Sequence, residues 1–203
     1  MAWPYVAWLA IFVVAPMVLI FLYAFTREGN SIVTLNFTLA NFAKFFKNEI
    51  FLAVLGRSMK IALSTTIVCI LIGYPAAYFI AKMDEKSQAF AILLITLPMW
   101  INMLIRTYSW QGILANFNVS SQFKVLVGMV YNFLPFMIIQ IYTSLSKIDQ
   151  NLLTAANDLG ASDVQTFLRV TLPLSIPGVI SGITLVFLPA VSSFFIPKLL
   201  GGG

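Results

Sequence analysis

An all-α integral membrane protein, a polytopic helical bundle, is the fold class this sequence predicts. The first observation is composition: 60% of the 203 residues are hydrophobic and 9% are charged, with a mean hydropathy of +0.94. A small globule in water could not hide that much apolar surface, whereas lipid accepts it at no cost. The second is patterning, since five runs without a charged side chain are each long enough to cross a hydrocarbon core. The third is one long polar interlude, residues 147–173, which is shaped to be gripped by something outside the bilayer.

Taken in order, the first span covers 3–25, too long for a signal-peptide core and without the basic start of one, so it is read as a retained helix. Residues 26–60 turn polar and basic among the interfacial aromatics Phe37, Phe42, Phe45, Phe46 and Phe51, and Thr38, Ala40, Phe42 and Phe45 begin a short amphipathic helix expected at the membrane surface. The second span, 61–81, ends at a tight charged loop of Lys82, Asp84, Glu85 and Lys86, read as solvated. A third span, 87–105, ends at Arg106, which is given an interfacial anchoring role. Residues 107–123 are uncharged but rich in Asn, Ser and Gln, and are expected as an outer loop with a short helix. Fourth and fifth spans cover 125–146 and 174–197, and the chain's last residues read as a turn leading to a sixth helix.

The interlude predicts a helix, a corner and a second helix. Asp149 or Gln150 opens the first, in which Ile148, Leu152, Ala156 and Leu159 recur at helical spacing opposite Asn151, Thr154 and Asp158. Gly160 stops it, because glycine accepts the left-handed conformation of a helix C-terminus, and Ser162 with Gln165 spells a capping box that starts the next helix. A rigid lever protruding from a membrane domain implies a partner.

Several functions are excluded. The net charge of +5 comes from twelve basic residues scattered singly, which leaves no patch to follow a nucleic-acid backbone. With no histidine and only Cys69, neither a disulfide framework nor a His/Cys metal site can form, and Cys69 is a packing residue. No nucleophile, base and orienter can be assembled, and no Gly-x-x-x-x-Gly-Lys-Ser/Thr phosphate loop occurs. No acid lies inside a predicted span, which argues against an ion-coupled secondary transporter; a membrane scaffold fits the composition but needs no lever. Pro16, Pro75, Pro98, Pro135 and Pro189 place a helix breaker in every span.

The lever resembles the signature loop of ABC importer permeases: Glu-Ala-Ala, three residues, Gly, nine residues, Ile, one residue, Leu-Pro. Ala155, Ala156, Gly160, Leu172 and Pro173 match at every spacing, with Thr154 in place of the glutamate and Val170 in place of the isoleucine. Contacts that depend on that glutamate are therefore not carried over. Within the family, the runs 71–78, 102–110 and 195–202 resemble the spermidine/putrescine subgroup; subgroups for opines, iron or other small solutes share part of the pattern.

This resemblance implies a permease bundle of six helices, with 147–173 as a cytoplasmic coupling loop that uses Thr154, Ala155, Ala156, Asp158, Gly160, Ser162, Leu172 and Pro173. It implies a second, homologous permease, two copies of a cytoplasmic ATPase that carry the ATP and Mg, an extracytoplasmic substrate-binding protein, and no cofactor on this chain. With that orientation the inner side holds Lys82, Lys86, Lys147 and Arg169 and the outer side eight basic residues, so the positive-inside rule alone favours the opposite topology. For a polyamine, the expected pathway contacts are Trp100, Asn102, Tyr108, Trp110, Phe187, Ser192, Ser193 and Phe194, because aromatic faces attract ammonium groups by about 0.5–2 kcal/mol. Pro189, beside Ser192 and Ser193, is the expected hinge. Trp100, Tyr108 and Trp110 equally fit an interfacial aromatic belt.

Overall fold

The computed structural model describes residues 3–26 and 37–201, which are helical almost throughout. The helices are α1 (Trp3–Ala24), α2 (Ala40–Lys47), α3 (Glu49–Ala81), α4 (Glu85–Trp100), α5 (Met103–Ala115), α6 (Ser121–Leu145), α7 (Gln150–Asp158), α8 (Asp163–Ser192) and α9 (Phe195–Leu199). Four are long and apolar enough to cross a membrane, five if the bent pair α4–α5 counts as one span. The chain divides into two compact units, Met1–Gly56 and Arg57–Gly203.

In the first unit, α1 is exposed along its whole length, as expected of a helix that meets lipid. It widens into a π-turn at Ala10–Val14 just before Pro16, where the missing proline N–H breaks the regular hydrogen-bond ladder. The C-terminal carbonyls of α1 are satisfied from a distance. The Asn41 amide on α2 donates to the carbonyls of Tyr23 (3.3 Å), Ala24 (3.2 Å) and Thr26 (2.9 Å). Phe25 stacks on Phe42 with centroids 5.1 Å apart, and the Thr38 N–H donates to the Phe25 carbonyl. The expected amphipathic helix is thus α2, while Arg27 and Glu28 of the basic interlude lie outside the described residues.

The second unit is organised around α6, whose Met129, Met137 and Ile141 are fully buried. Small residues let its neighbours approach. Gly178 and Gly182 on α8 form a Gly-x-x-x-Gly pair against α6: a Cβ at Gly178 would lie 2.7 Å from the Gln140 carbonyl oxygen, and one at Gly182 would lie 2.6 Å from Met137 Sδ. A Cβ at Gly73 on α3 would lie 3.0 Å from Met137 Cγ, and Gly128 on α6 faces Ile196 of α9 and Leu200 just after it. Interfaces of this kind suit lipid, where close van der Waals contact replaces the hydrophobic drive.

Three helices depart from the expected span bounds. Helix α3 is longer than the expected second span, continuing helical from Glu49 through Arg57 and Lys60. The third span does not run unbroken over 87–105. Pro98 draws the end of α4 into a tight 3₁₀ turn, and Asn102, whose side chain accepts from the Leu104 N–H at 2.8 Å, caps a new helix bent by 92°. The short helix expected in the outer loop is α5, which starts earlier, at Met103. Helix α8 opens at Asp163, where the capping box is expected to start the second helix, but it does not stop before the fifth span: it passes through Pro173 by widening to a π-turn over Phe167–Thr171, where the Leu172 N–H reaches back to the Phe167 carbonyl. It ends at Ser192, and the extended Ser193 separates it from α9.

Candidate coupling corner and membrane pathway

The polar interlude folds as a short helix, a corner and the first turns of α8. The Asp149 carboxylate accepts from the Asn151 N–H at 2.9 Å and so caps α7. At the other end Gly160 takes φ +82°, the left-handed region that a side chain with a Cβ disfavours. Its N–H donates to the Asn157 carbonyl (2.9 Å) and the next N–H, of Ala161, to the Ala156 carbonyl (3.1 Å), the paired bonds of a Schellman cap. Two residues on, the Gln165 N–H donates to Ser162 Oγ while the Ser162 N–H donates to Gln165 Oε1 at 3.0 Å, a complete capping box. A further bond crosses the corner, from Thr166 Oγ1 to Asn157 Oδ1 at 3.0 Å. With both helix ends capped and cross-linked, the corner has a fixed angle.

Its outward surface is apolar. Leu159 is 89% exposed and Val164 67%, joined by Leu152 and Leu168, whereas the half-buried residues of α7 are Leu153 and Ala156. The stripe expected on one inner face is thus split, with Leu152 and Leu159 facing out. Thr154 Oγ1 returns its proton to the Gln150 carbonyl at 3.1 Å, and Ala155 and Asp158 are exposed beside it. Leu172 is half-buried and Pro173 exposed, both within α8 and not at the end of a loop. Behind α7 a cavity of about 510 Å³ reaches Tyr78 and Lys82 of α3 and its following loop, with the Lys82 ammonium 4.5 Å over the Tyr78 ring. In that loop Asp84 caps α4, and bonds from the Ser87 hydroxyl and N–H hold its carboxyl below the ordinary range.

The expected pathway residues have different surroundings. Trp100 is 88% exposed at the tip of α4, and the Asn102 side-chain oxygen is engaged in capping α5. Tyr108 is exposed, while Trp110 is half-buried edge-on to Tyr131 with centroids 5.3 Å apart. Phe187 packs against the core. Ser192 Oγ returns to the carbonyls of Leu188 and Pro189, Ser193 sits at the α8–α9 break, and Phe194 carries the Lys198 ammonium 5.4 Å over its ring. α9 packs on both α5 and α6, so the two helix breaks belong to one end of the unit. Pro189 lies inside unbroken α8, and the chain departs from helix only at Ser193. Arg106 is turned inward, its Nε and Nη1 buried without a hydrogen-bond partner and its guanidinium carbon 6.0 Å from the Tyr131 ring centroid.

Residues 69–203 match the family of binding-protein-dependent transport system inner membrane components. The chain is 38% identical over 97% of its length to the spermidine/putrescine transport system permease protein PotB of Salmonella typhimurium strain SL1344, covering 75% of that protein. The figures for PotB of Escherichia coli K12 are 38%, 97% and 78%, and for that of Haemophilus influenzae 37%, 97% and 75%. This chain belongs to that family. It is the permease subunit of an ABC importer and a multi-pass inner-membrane protein. A solved bacterial ABC transporter involved in the import of the acidic polysaccharide alginate shares the fold, with a TM-score of 0.64 and 19% identity over 95% of this chain and 72% of that one.

The family match contains the whole corner at 150–166 and both breaks of the helices. Three features of the permease had little or no sequence signal. The Asn157–Thr166 bond joins residues on either side of a turn, and the bond between Tyr74 and Ser175 spans 101 positions. The α6–α8 seam was marked only by the spacing of Gly178 and Gly182.

Proposed function

We propose that this permease forms half of a translocation pathway for polyamines of the spermidine/putrescine class, beside a second, homologous permease. Two cytoplasmic ATPase subunits, which hold the ATP and Mg²⁺, grip the corner at 150–166, and an extracytoplasmic binding protein delivers the cargo. The single observation that carries the coupling role is the doubly capped corner, with left-handed Gly160 at its apex and Leu159 and Val164 standing in the open. Exposed apolar side chains on a rigid lever are what a protein partner buries. The cargo class is supported by the names of the relatives at 37–38% identity.

In this reading the partner pushes on α7, and the corner passes the motion to α6 and α8, between which it is inserted. Trp100, Tyr108, Trp110 and Phe194 are the ring faces offered to ammonium groups along the route, with Asn102, Phe187, Ser192 and Ser193 as further contacts and Pro189 as the hinge. The seven acids all lie outside the apolar runs, so the contacts on this chain are weak and transient.

The test is Gly160→Val in the complete transporter. A β-branched residue at positive φ costs about 1–2 kcal/mol and misaims α7, so ATPase co-purification and ATP-driven uptake of labelled spermidine should both fall. Retention of both at wild-type level refutes the coupling role. Competition of that uptake by putrescine, an opine and ferric ion tests the cargo: polyamines alone should compete.

A further inference from the structure

Helix α8 has two jobs that pull against each other. Its first two turns form one arm of the corner, and its remainder packs along α6 as a span. Between them Pro173 removes a backbone donor, and the ladder is carried across the gap by the π-turn over Phe167–Thr171. A widened turn next to a proline is where a helix bends, so the angle between the corner and the span is set here or nowhere.

Two side chains of α3 hold both ends of this turn. At its start, the Phe167 ring meets Tyr78 and Tyr74 edge-on, with centroids 5.1 and 5.9 Å apart. Just beyond its end, Ser175 is fully buried and donates to the Leu172 carbonyl at 2.8 Å. That commits the single proton of the serine, so the Tyr74 hydroxyl, 2.8 Å away, donates to Ser175 Oγ. Tyr74 therefore touches the first residue of the wide turn with its ring and the second residue after Pro173 with its hydroxyl. Pro75 follows it in α3, and Gly73 before it lies against Met137, which places the α3 backbone close to the bundle at this level.

We infer that Tyr74 is a positioning residue for energy coupling: through Ser175 it fixes the bend of α8 at Pro173, so that displacement of the corner moves the span instead of being absorbed in the wide turn. The inference rests on the reading of the corner as the ATPase contact, and it adds a place where that contact can be present and mechanically useless.

The experiment compares Tyr74→Phe, Ser175→Ala, Ser175→Thr and the double variant Tyr74→Phe/Ser175→Ala in the complete transporter, reconstituted with its ATPase and loaded binding protein. The quantities read are ATPase co-purification, binding-protein-stimulated ATP hydrolysis and substrate moved per ATP. Tyr74→Phe keeps the ring and loses only the hydroxyl. It should retain the ATPase at wild-type stoichiometry and most of the hydrolysis, while transport per ATP falls about threefold or more. Ser175→Ala, a smaller change made from the other side of the bond, should do the same, and the double variant should be no worse than either single within about twofold, since one link is lost in all three. Ser175→Thr keeps a hydroxyl and should stay near wild type. Unchanged transport per ATP in both Tyr74→Phe and Ser175→Ala, a lower melting temperature with an unchanged ratio, or multiplying losses in the double variant would each overturn the inference. Loss of the ATPase from the purified complex in Tyr74→Phe would overturn it too. Failure of the corner reading shows elsewhere, as Gly160→Val that still binds its ATPase and still transports.

Discussion

Replacing Gly178 and Gly182 separately with alanine tests whether the α6–α8 seam is held by backbone proximity or by side chains that can yield. A methyl group at Gly178 would meet the Ser144 Cβ and lie 2.7 Å from the Gln140 carbonyl oxygen. Both obstacles are fixed to the α6 backbone, so relief requires the helices to part by several tenths of an ångström to about 1 Å. Overpacking of this kind costs about 1–3 kcal/mol. Separation also forfeits part of the 0.1–0.2 kcal/mol carried by each neighbouring atom pair along the seam. Against this, alanine regains up to about 1 kcal/mol of helix propensity over glycine. The net expectation for Gly178→Ala is a loss of about 1–2 kcal/mol.

At Gly182 the nearest obstacle is Met137 Sδ at 2.6 Å, the mobile part of a flexible side chain, and the Met137 Cα and carbonyl oxygen stand at 3.5 and 3.6 Å. A rotamer change at Met137 clears the space, and the propensity gain offsets its cost, so Gly182→Ala should lie within about 0.5 kcal/mol of wild type. Denaturation in detergent micelles, followed by helix signal, gives the ordering. Equal stability of the two variants, or Gly182→Ala as the weaker, refutes the reasoning that backbone obstruction decides the cost.

Two further outcomes follow from the caps. Asn41→Ala leaves the carbonyls of Tyr23, Ala24 and Thr26 without their amide donor, at a cost of about 1–3 kcal/mol to the end of α1; hydrogen exchange at the Thr38 amide, which donates to Phe25, should speed up about tenfold or more while the Arg57–Gly203 unit is unaffected. The Asp84 carboxyl titrates below its ordinary value of 3.8 because the Ser87 hydroxyl and N–H bond the charged form. A depressed folded value means that its contribution is complete above the unfolded value and disappears as pH falls through the folded one. Protection of the first turn of α4 should therefore be flat from pH 8 to 5 and drop only in strong acid, and Asp84→Asn, which keeps an acceptor for the cap, should abolish that drop.

What could be read from the sequence follows the range of the interactions involved. Gly160, Ser162 and Gln165 act on partners within five positions, so their identities alone determine the cap, the turn and the restart, and all three appear as expected. The break at Asn102 was equally local: Pro98 and a capping asparagine four residues later are both start-and-stop signals. Hydropathy hides it, because it stays high across 87–105 and measures whether a segment tolerates lipid, not whether its backbone is continuous. At Pro173 the local signal misleads in the other direction. A proline after a polar stretch reads as a break between the restarted helix and the fifth span, yet here a π-turn supplies the ladder with a longer bond and the two are one helix.

The pathway residues and the Tyr74 clamp were out of reach for a different reason. Aromatic and hydroxyl side chains in an apolar run are chemically alike in sequence, and only the fold decides that Ser192 bonds its own helix while Ser175 receives a tyrosine from 101 positions away. The same distinction separates the two halves of the proposed mechanism. The surface proposed to meet the ATPase is built from neighbours in sequence, so it survives as a spacing pattern even with Thr154 in place of the acid. The joint that converts its movement into a change of the pathway is built from residues on two helices, so any substitution that preserves a hydroxyl pair across α3 and α8 preserves the joint without preserving a motif.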